Sequence, residues 1–267
     1  MRIISTNFLD IVYSSRNNHF LIFAFISFSH YSFGQEITMP EREPTVKKQS
    51  IESFEIRKGR FIHKFVLSNE KEWPVHLSIP EIKEGYKVPL IIALHWAGSR
   101  ESYLEYSTCL AFPALEFLNA IIVAPSSNFG NWVHRKNEKK VIGLIKRLIK
   151  YWPIDKEKII ITGYSNGGIG SWEYAKKYPK RFAAVLPVSG HYEPHKMKVP
   201  AYILHGENDD LFNVSEVESA IEKSKKKGSL IHFKALSGFS HYSACSYVDA
   251  LSIMAKKMQK ELFTSPE

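Results

Sequence analysis

The chain has 267 residues, 44% hydrophobic, 13% aromatic and 24% charged, an ordinary globular composition whose length suits one α/β domain with a large core. The net charge of +9 is spread over scattered lysines such as Lys139-Lys140 and Lys176-Lys177, most at helical spacing opposite apolar residues. That pattern reads as a solvated basic surface, and no basic motif interleaved with aromatics is present, so a nucleic-acid partner is not expected.

In chain order, the first segment reads as export machinery rather than fold. "NHFLIFAFISFSHYSFGQ" carries an apolar core from Phe20 to Phe28, with Arg2 and Arg16 ahead of it and Ser32-Phe33-Gly34 placing small residues where signal peptidase cuts. The run is too short to span a bilayer and a polar segment follows it. Residues 1–34 are therefore expected to be a cleaved signal peptide, and the protein secreted or periplasmic with no integral membrane segment in the mature chain. A buried apolar strand is the alternative. Residues 35–58 are polar and Pro-containing and read as an arm, leaving 59–267 as the main folded domain.

From residue 60 the chain alternates strand-like and helix-like segments. Strands are expected at Phe61–Leu67, Val75–Ile79, Leu90–His95, Ala120–Ala124, Lys158–Thr162, Ala183–Val188, Ala201–His205 and Leu230–Lys234. Several are continuous β-branched runs, as buried parallel strands should be. Helices are expected at Ser102–Phe117, Glu138–Tyr151, Gly167–Tyr178, Ser215–Lys227 and Ser243–Leu262. Two early strands with no helix between them, then βα repeats, predict a mixed sheet with an antiparallel start and helices on both faces.

The stretch "ITGYSNGGIG" breaks a β-branched run with a serine between glycines. A nucleophilic serine at the end of a buried strand must turn sharply so that its hydroxyl stands above the sheet. That predicts a positive φ at Ser165 and no room for side chains at Gly163 and Gly167. A plain strand-to-helix turn capped by serine is the competing reading. A serine nucleophile needs a base, and the base an orienter. After Ser165, "AYILHGENDDLFN" ends a strand in an acidic loop and "LIHFKALSGFSHYSA" ends the next in a loop with His241. Both loops follow strands and are expected at the sheet edge where Ser165 stands. His205 and His232 read as structural, and His95, His134 and His191 as further loop-edge positions.

Four stretches carry a resemblance: "PLIIALHWAGS", "ITGYSNGGIGSWEYAKKYPKRFAAVLPVSG", "VPAYILHGENDDLFN" and "GFSHYS". In order and spacing the chain resembles secreted esterases, feruloyl esterases and predicted peptidases of the α/β-hydrolase superfamily, relatives of phospholipase/carboxylesterases and dienelactone hydrolases. The resemblance implies an α/β-hydrolase fold, a mostly parallel eight-stranded sheet with helices on both faces. It implies Ser165, Asp209 and His241 as catalytic residues, with Asp210 the fallback acid, and the amides of Ala97 and Asn166 as the oxyanion hole. Two departures stand out. The family's His-Gly pair is His95-Trp96 here, and dienelactone hydrolases proper use cysteine where this chain has Ser165.

The expected chemistry is hydrolysis of carboxylic esters through an acyl-enzyme, on short acyl or hydroxycinnamoyl esters that include polymer-linked ones. A serine peptidase on the same triad and a non-catalytic binding protein on the same scaffold are the alternatives. With no HExxH, no CxxC and no phosphate-cradling loop, neither a metal nor another cofactor is expected. The span from Ser189 to Val199 is too short for a lid, so no cap domain is expected, and Trp96, Trp132, His191 and Tyr192 are expected to line an open cleft. Cys109 and Cys245 fall on helices that this fold places on one sheet face, which leaves a disulfide and two free thiols both open. The sequence carries no signal of oligomeric state.

Overall fold

The computed structural model describes residues 50–66, 72–127 and 130–263. The expected signal peptide and most of the polar arm lie outside the described residues. The described end of the arm docks on the core: Ile51 is fully buried, its carbonyl accepts a hydrogen bond from Trp152 Nε1 at 2.9 Å, and Phe54 stacks on the Trp152 ring.

Eight strands form one sheet in the order β1-β2-β4-β3-β5-β6-β7-β8. They are β1 (Gly59–Val66), β2 (Glu72–Ile79), β3 (Val88–Leu94), β4 (Ile121–Pro125), β5 (Ile154–Tyr164), β6 (Ala184–Val188), β7 (Ala201–Asn208) and β8 (Ile231–Ser240). β2 pairs antiparallel with both β1 and β4; every other pairing is parallel. All eight expected strands form, and the antiparallel start is where two strands follow one another without a helix.

The central strands show why both faces need helices. Along β3, Leu90, Ile92 and Leu94 belong to one apolar cluster and Ile91 and Ala93 to the other. Strict alternation of apolar side chains on a twofold repeat leaves no polar face, so each side must be covered. One side is covered by α3 (Arg135–Tyr151), α4 (Asn166–Lys177) and α5 (Val214–Lys226), with Leu144, Leu148, Trp172 and Ile221 buried against it. The other is covered by α1 (Ser102–Tyr106), α2 (Phe112–Leu115) and α6 (Val248–Leu262), through Tyr106, Phe112, Leu251 and Met258. The β6–β7 connection carries no helix or strand, and the described residues form no cap domain.

The helix expected over Ser102–Phe117 is not continuous. α1 passes through a π-helical turn (Ser107–Ala111) into α2 and then a 3-10 turn (Glu116–Leu118). Pro113 explains the break: it has no N–H to give the carbonyl four residues back, which is that of Cys109. The widened turn carries Cys109, and a 3-10 turn (Ala244–Tyr247) ahead of α6 carries Cys245. The two form a disulfide with Cα atoms 5.1 Å apart, which decides between the bridge and the free thiols.

Closing a loop across 136 residues is worth up to about 5 kcal/mol in the chain-entropy account. Reductant should lower the urea midpoint of the wild-type chain clearly. In a Cys109→Ser/Cys245→Ser double variant the midpoint should already be low, and reductant should not move it. Equal sensitivity in both proteins would show that the bridge contributes nothing.

Candidate active site

The parallel strands deliver the chemistry to one edge. β3, β5, β6, β7 and β8 run the same way, so the residues after their C-terminal ends meet there. Ser165 follows β5 directly and precedes α4. Its φ of 55° lies in the left-handed region, as expected of a serine at such a turn. The cause is close backbone approach. A Cβ on Gly163 would sit 2.2 Å from the Gly167 carbonyl oxygen, and one on Gly167 would sit 1.8 Å from that of Leu94. Neither position can carry a side chain without moving β3 or the turn.

At that edge three expected residues come together. Ser165 Oγ is 2.9 Å from His241 Nε2, and His241 Nδ1 is 2.9 Å from Asp209 Oδ2. Asp209 Oδ1 accepts from the backbone amides of Leu211 and Phe212 at 3.0 and 2.8 Å, so both carboxylate oxygens are held. Burial pushes the Asp209 carboxyl up, but the His241 bond and charge and the Phe212 amide outweigh it and hold it below its usual value. Asp210, the fallback acid, is exposed.

The histidine arrives through an irregularity. β8 runs on to Ser240, longer than its apolar run suggests, and the β7–β8 register shifts between Gly206 and Asn208. Gly206 makes this possible, since a Cβ there would meet the Phe239 carbonyl oxygen at 2.2 Å. Two supports were not legible as such in the sequence. Tyr164, the residue before the serine, donates from its hydroxyl to the His241 carbonyl at 2.8 Å. His205, fully buried, holds the carbonyl of Phe212 from Nε2 at 2.7 Å and so braces the loop that carries Asp209.

His95 does comparable work on the loop after β3. Its Nδ1–H donates to the Trp96 carbonyl at 2.6 Å, and its Nε2 accepts the Ser127 amide at 3.1 Å. The peptide is planar, so fixing the Trp96 carbonyl fixes the Ala97 N–H on its opposite edge, directed away from His95. Gly130, at φ 65°, closes on the same peptide; a Cβ there would lie 2.5 Å from the Trp96 carbonyl oxygen. Asn166 opens α4, so its amide belongs to the positive N-terminal end of that helix.

The four expected cleft residues divide. Trp96 is partly exposed and stands edge-on to Tyr106 and Tyr164. His191 is partly exposed, with its ring 6.1 Å from that of Phe212. Trp132 and Tyr192 are not on a rim: each is only 1% exposed. Trp132 Nε1 donates to the His95 carbonyl at 2.7 Å, and Gly170 makes room for its side chain, so it props the loop from beneath. Tyr192 turns inward against Trp172, and its hydroxyl accepts the Gly190 amide at 3.0 Å. An aromatic in a loop after a strand reads alike whether it faces out or packs under, and only the third dimension separated the two pairs. Among the described residues, no three His, Cys, Asp or Glu side chains converge as a metal site. No helix among them is long and apolar enough to cross a membrane.

Burial pushes the His95 imidazole down to about 4 from 6.5, against the pull of its bond to the Trp96 carbonyl. Below pH 6.5 the unfolded chain takes up a proton that folded His95 refuses. The stability it supplies is complete above pH 6.5 and is lost as pH falls toward 4, a total on the order of 3 kcal/mol. His76 and His205 are displaced in the same direction, in both cases chiefly by burial. Unfolding free energy measured between pH 6.5 and 5 should therefore fall with more than one proton's slope, and His95→Gln should remove about one proton of it. A flat profile would contradict the burial of these rings.

Residues 126–265 match the dienelactone hydrolase family. The chain is 25% identical over 142 residues to the bifunctional acetylxylan esterase/xylanase XynS20E of Neocallimastix patriciarum, a match covering 50% of this chain and 21% of that protein. Among solved structures, a thermostable esterase aligns with a TM-score of 0.64 at 22% identity, over 75% of this chain and 62% of that one. Thermogutta terrifontis esterase 2, phosphorylated by paraoxon, aligns at 0.60 and 14% identity, over 78% of this chain and 96% of its own. The chain thus spans about a fifth of the Neocallimastix patriciarum relative's length and under two thirds of the thermostable esterase's. With the matched segment reaching from the end of β4 through α6 and taking in Ser165, Asp209 and His241, the chain belongs to the dienelactone hydrolase family, on an α/β-hydrolase fold.

Proposed function

We propose that the protein hydrolyses carboxylic esters, with Ser165 as nucleophile, His241 as general base and acid, and Asp209 as the group that orients His241. The observation that carries this is the pair of 2.9 Å contacts joining Ser165, His241 and Asp209 at the head of a strained strand-to-helix turn. Ser165 Oγ attacks the ester carbonyl while its proton passes to His241 Nε2. Asp209, held as a carboxylate, keeps the remaining imidazole proton on Nδ1 and stabilises the cation. Collapse of the tetrahedral adduct sends the proton from Nε2 to the departing alcohol, and water repeats the sequence on the acyl-enzyme. The Ala97 and Asn166 amides are the proposed oxyanion donors, each worth about 3–4 kcal/mol to the transition state.

The substrates proposed are short acyl or hydroxycinnamoyl esters, including those carried on polysaccharides. Two observations support this: no cap among the described residues covers the edge, and Trp96 stands where the family resemblance places glycine, wedged by Tyr106 and Tyr164. The acetylxylan esterase activity in the Neocallimastix patriciarum relative's name points the same way. Secretion, with removal of residues 1–34, is part of the proposal, and the Cys109–Cys245 bridge suits an oxidising compartment.

Ser165→Ala should lower kcat by roughly 10⁴–10⁶-fold with little change in Tm, and His241→Ala should do nearly the same, because the two act as a unit. Asp209→Asn should cost roughly 10³–10⁴-fold and Asp210→Asn far less. Greater sensitivity at Asp210 would move the acid assignment. Labelling with a fluorophosphonate, abolished in Ser165→Ala, separates a hydrolase from a non-catalytic binder, and a matched ester and amide panel separates esterase from peptidase.

On the acyl side, Trp96→Ala should raise the butyryl-to-acetyl ratio of kcat/KM, since it removes the wall. Palmitoyl esters should remain poor substrates, without interfacial activation. Fastest turnover of the palmitoyl ester by the wild-type chain would sink the open-cleft, short-acyl reading.

A further inference from the structure

The proton that His241 returns goes to the alcohol oxygen, so the surface flanking His241 is the surface the alcohol part of the ester must cross. Three neighbouring aromatic rings stand against His241: Tyr164, Phe212 and Tyr242, with centroids 5.8, 5.3 and 5.8 Å away. Tyr164 is buried beneath it, Phe212 is half-buried, and Tyr242 is 59% exposed. Beyond Phe212 comes the partly exposed ring of His191. His191 in turn forms one end of a groove of about 320 Å³ that continues between the 191–194 segment and the outer face of α5. Its walls include Glu193, Ser215, Glu216, Ser219 and Lys223. The His191 ring at the groove's edge thus neighbours that of Phe212, which in turn neighbours that of His241.

We propose that this groove is the subsite for the alcohol part of the ester, and that it takes a short neutral carbohydrate segment. The inference rests on the hydrolase reading for its direction. The size is at the small end of the ~300–1,000 Å³ of small-molecule sites. The chemistry decides the class. Carboxylates, an ammonium and hydroxyls face one opening, which suits a ligand rich in hydroxyls that donate and accept in turn. The mixed sign gives no preference for a polyanion or a polycation. Pro194 and Ala220 give the lining an apolar share that suits the C–H faces of sugar rings, while the charged groups disfavour a long fatty chain. The partly exposed rings of His191 and Phe212 supply apolar surface beside the groove for the C–H face of a sugar. Trp96 lies on the other side of the problem, at the acyl group.

Two measurements test this together. Ser219 is exposed on α5, so Ser219→Trp fills the groove without disturbing the core, and Lys223→Ala is a milder second variant. With Ser165→Ala protein, xylotetraose serves as an ester-free probe by NMR titration, with and without Ser219→Trp. With active protein, kcat/KM is compared for acetylated xylo-oligosaccharides and 4-nitrophenyl acetate. The expected result is binding of xylotetraose weakened at least tenfold by Ser219→Trp. The ratio of oligosaccharide ester to nitrophenyl ester turnover should also fall at least tenfold, and in the same direction in Lys223→Ala. The acetyl-to-butyryl ratio on nitrophenyl esters should not move. Turnover of small esters with no xylotetraose binding, or with a substrate ratio that neither variant shifts, overturns the groove and leaves the hydrolase reading standing. Xylotetraose binding that Ser219→Trp abolishes, with no ester hydrolysis at all, upholds the groove and overturns the hydrolase reading instead.

Discussion

The contact on which the site depends is a backbone one: Gly167, in the first turn of α4, lies against the carbonyl of Leu94 at the end of β3. That approach leaves the chain no gradual way out of β5. It must reverse within a residue or two, and the cost falls on Ser165, which is held at a positive φ that a residue with a side chain seldom adopts. The same contact ties the Ser165 turn to the strand whose loop carries Trp96 and Ala97. Two parts of the candidate site are therefore coupled by packing of backbone on backbone rather than by any side chain.

Around this hard point the support is mostly buried histidine and aromatic side chains, each making directional bonds to loop carbonyls. His95 holds the Trp96 carbonyl, His205 that of Phe212, Tyr164 that of His241. Loops have no ladder to satisfy their backbone, so a buried side chain must take that role or leave a polar group unpaired. A neutral imidazole suits the task because it is a donor at one nitrogen and an acceptor at the other, as His95 shows with Trp96 and Ser127. Burial favours the neutral form of His95, the form that can make both bonds at once.

The disulfide belongs to the same scheme. It joins a distorted helix that follows the Trp96 loop to the turn four residues beyond His241. The helical distortion traces to Pro113, and Cys109 is the residue whose carbonyl that proline leaves without its usual donor. A local defect and a covalent link thus meet at the side of the fold opposite α4. Tyr106, one residue ahead of the π turn, also forms one of the walls against which Trp96 stands.

The succession of strands, most of the helices between them and the positive φ at Ser165 were readable from residues 59–262, while Asp209, which contacts His241, was singled out over Asp210 only by the family resemblance. The first three rest on local regularities: β-branched runs, apolar repeats and glycines where a Cβ cannot fit. A period or a forbidden Cβ is a property of neighbours in sequence, so sequence suffices to show it. What only the tertiary structure decided are relations between residues far apart in the chain. Whether Trp132 and Tyr192 face solvent or lie under a loop depends on what α4 and the β6–β7 connection bring over them. Whether Cys109 meets Cys245 depends on two helices sharing one face. That His205 and Tyr164 brace distant loops, and that a groove lies between the 191–194 segment and α5, follows from packing across the sheet edge. No periodicity encodes such contacts, because each is set by the summed geometry of several elements rather than by any one of them.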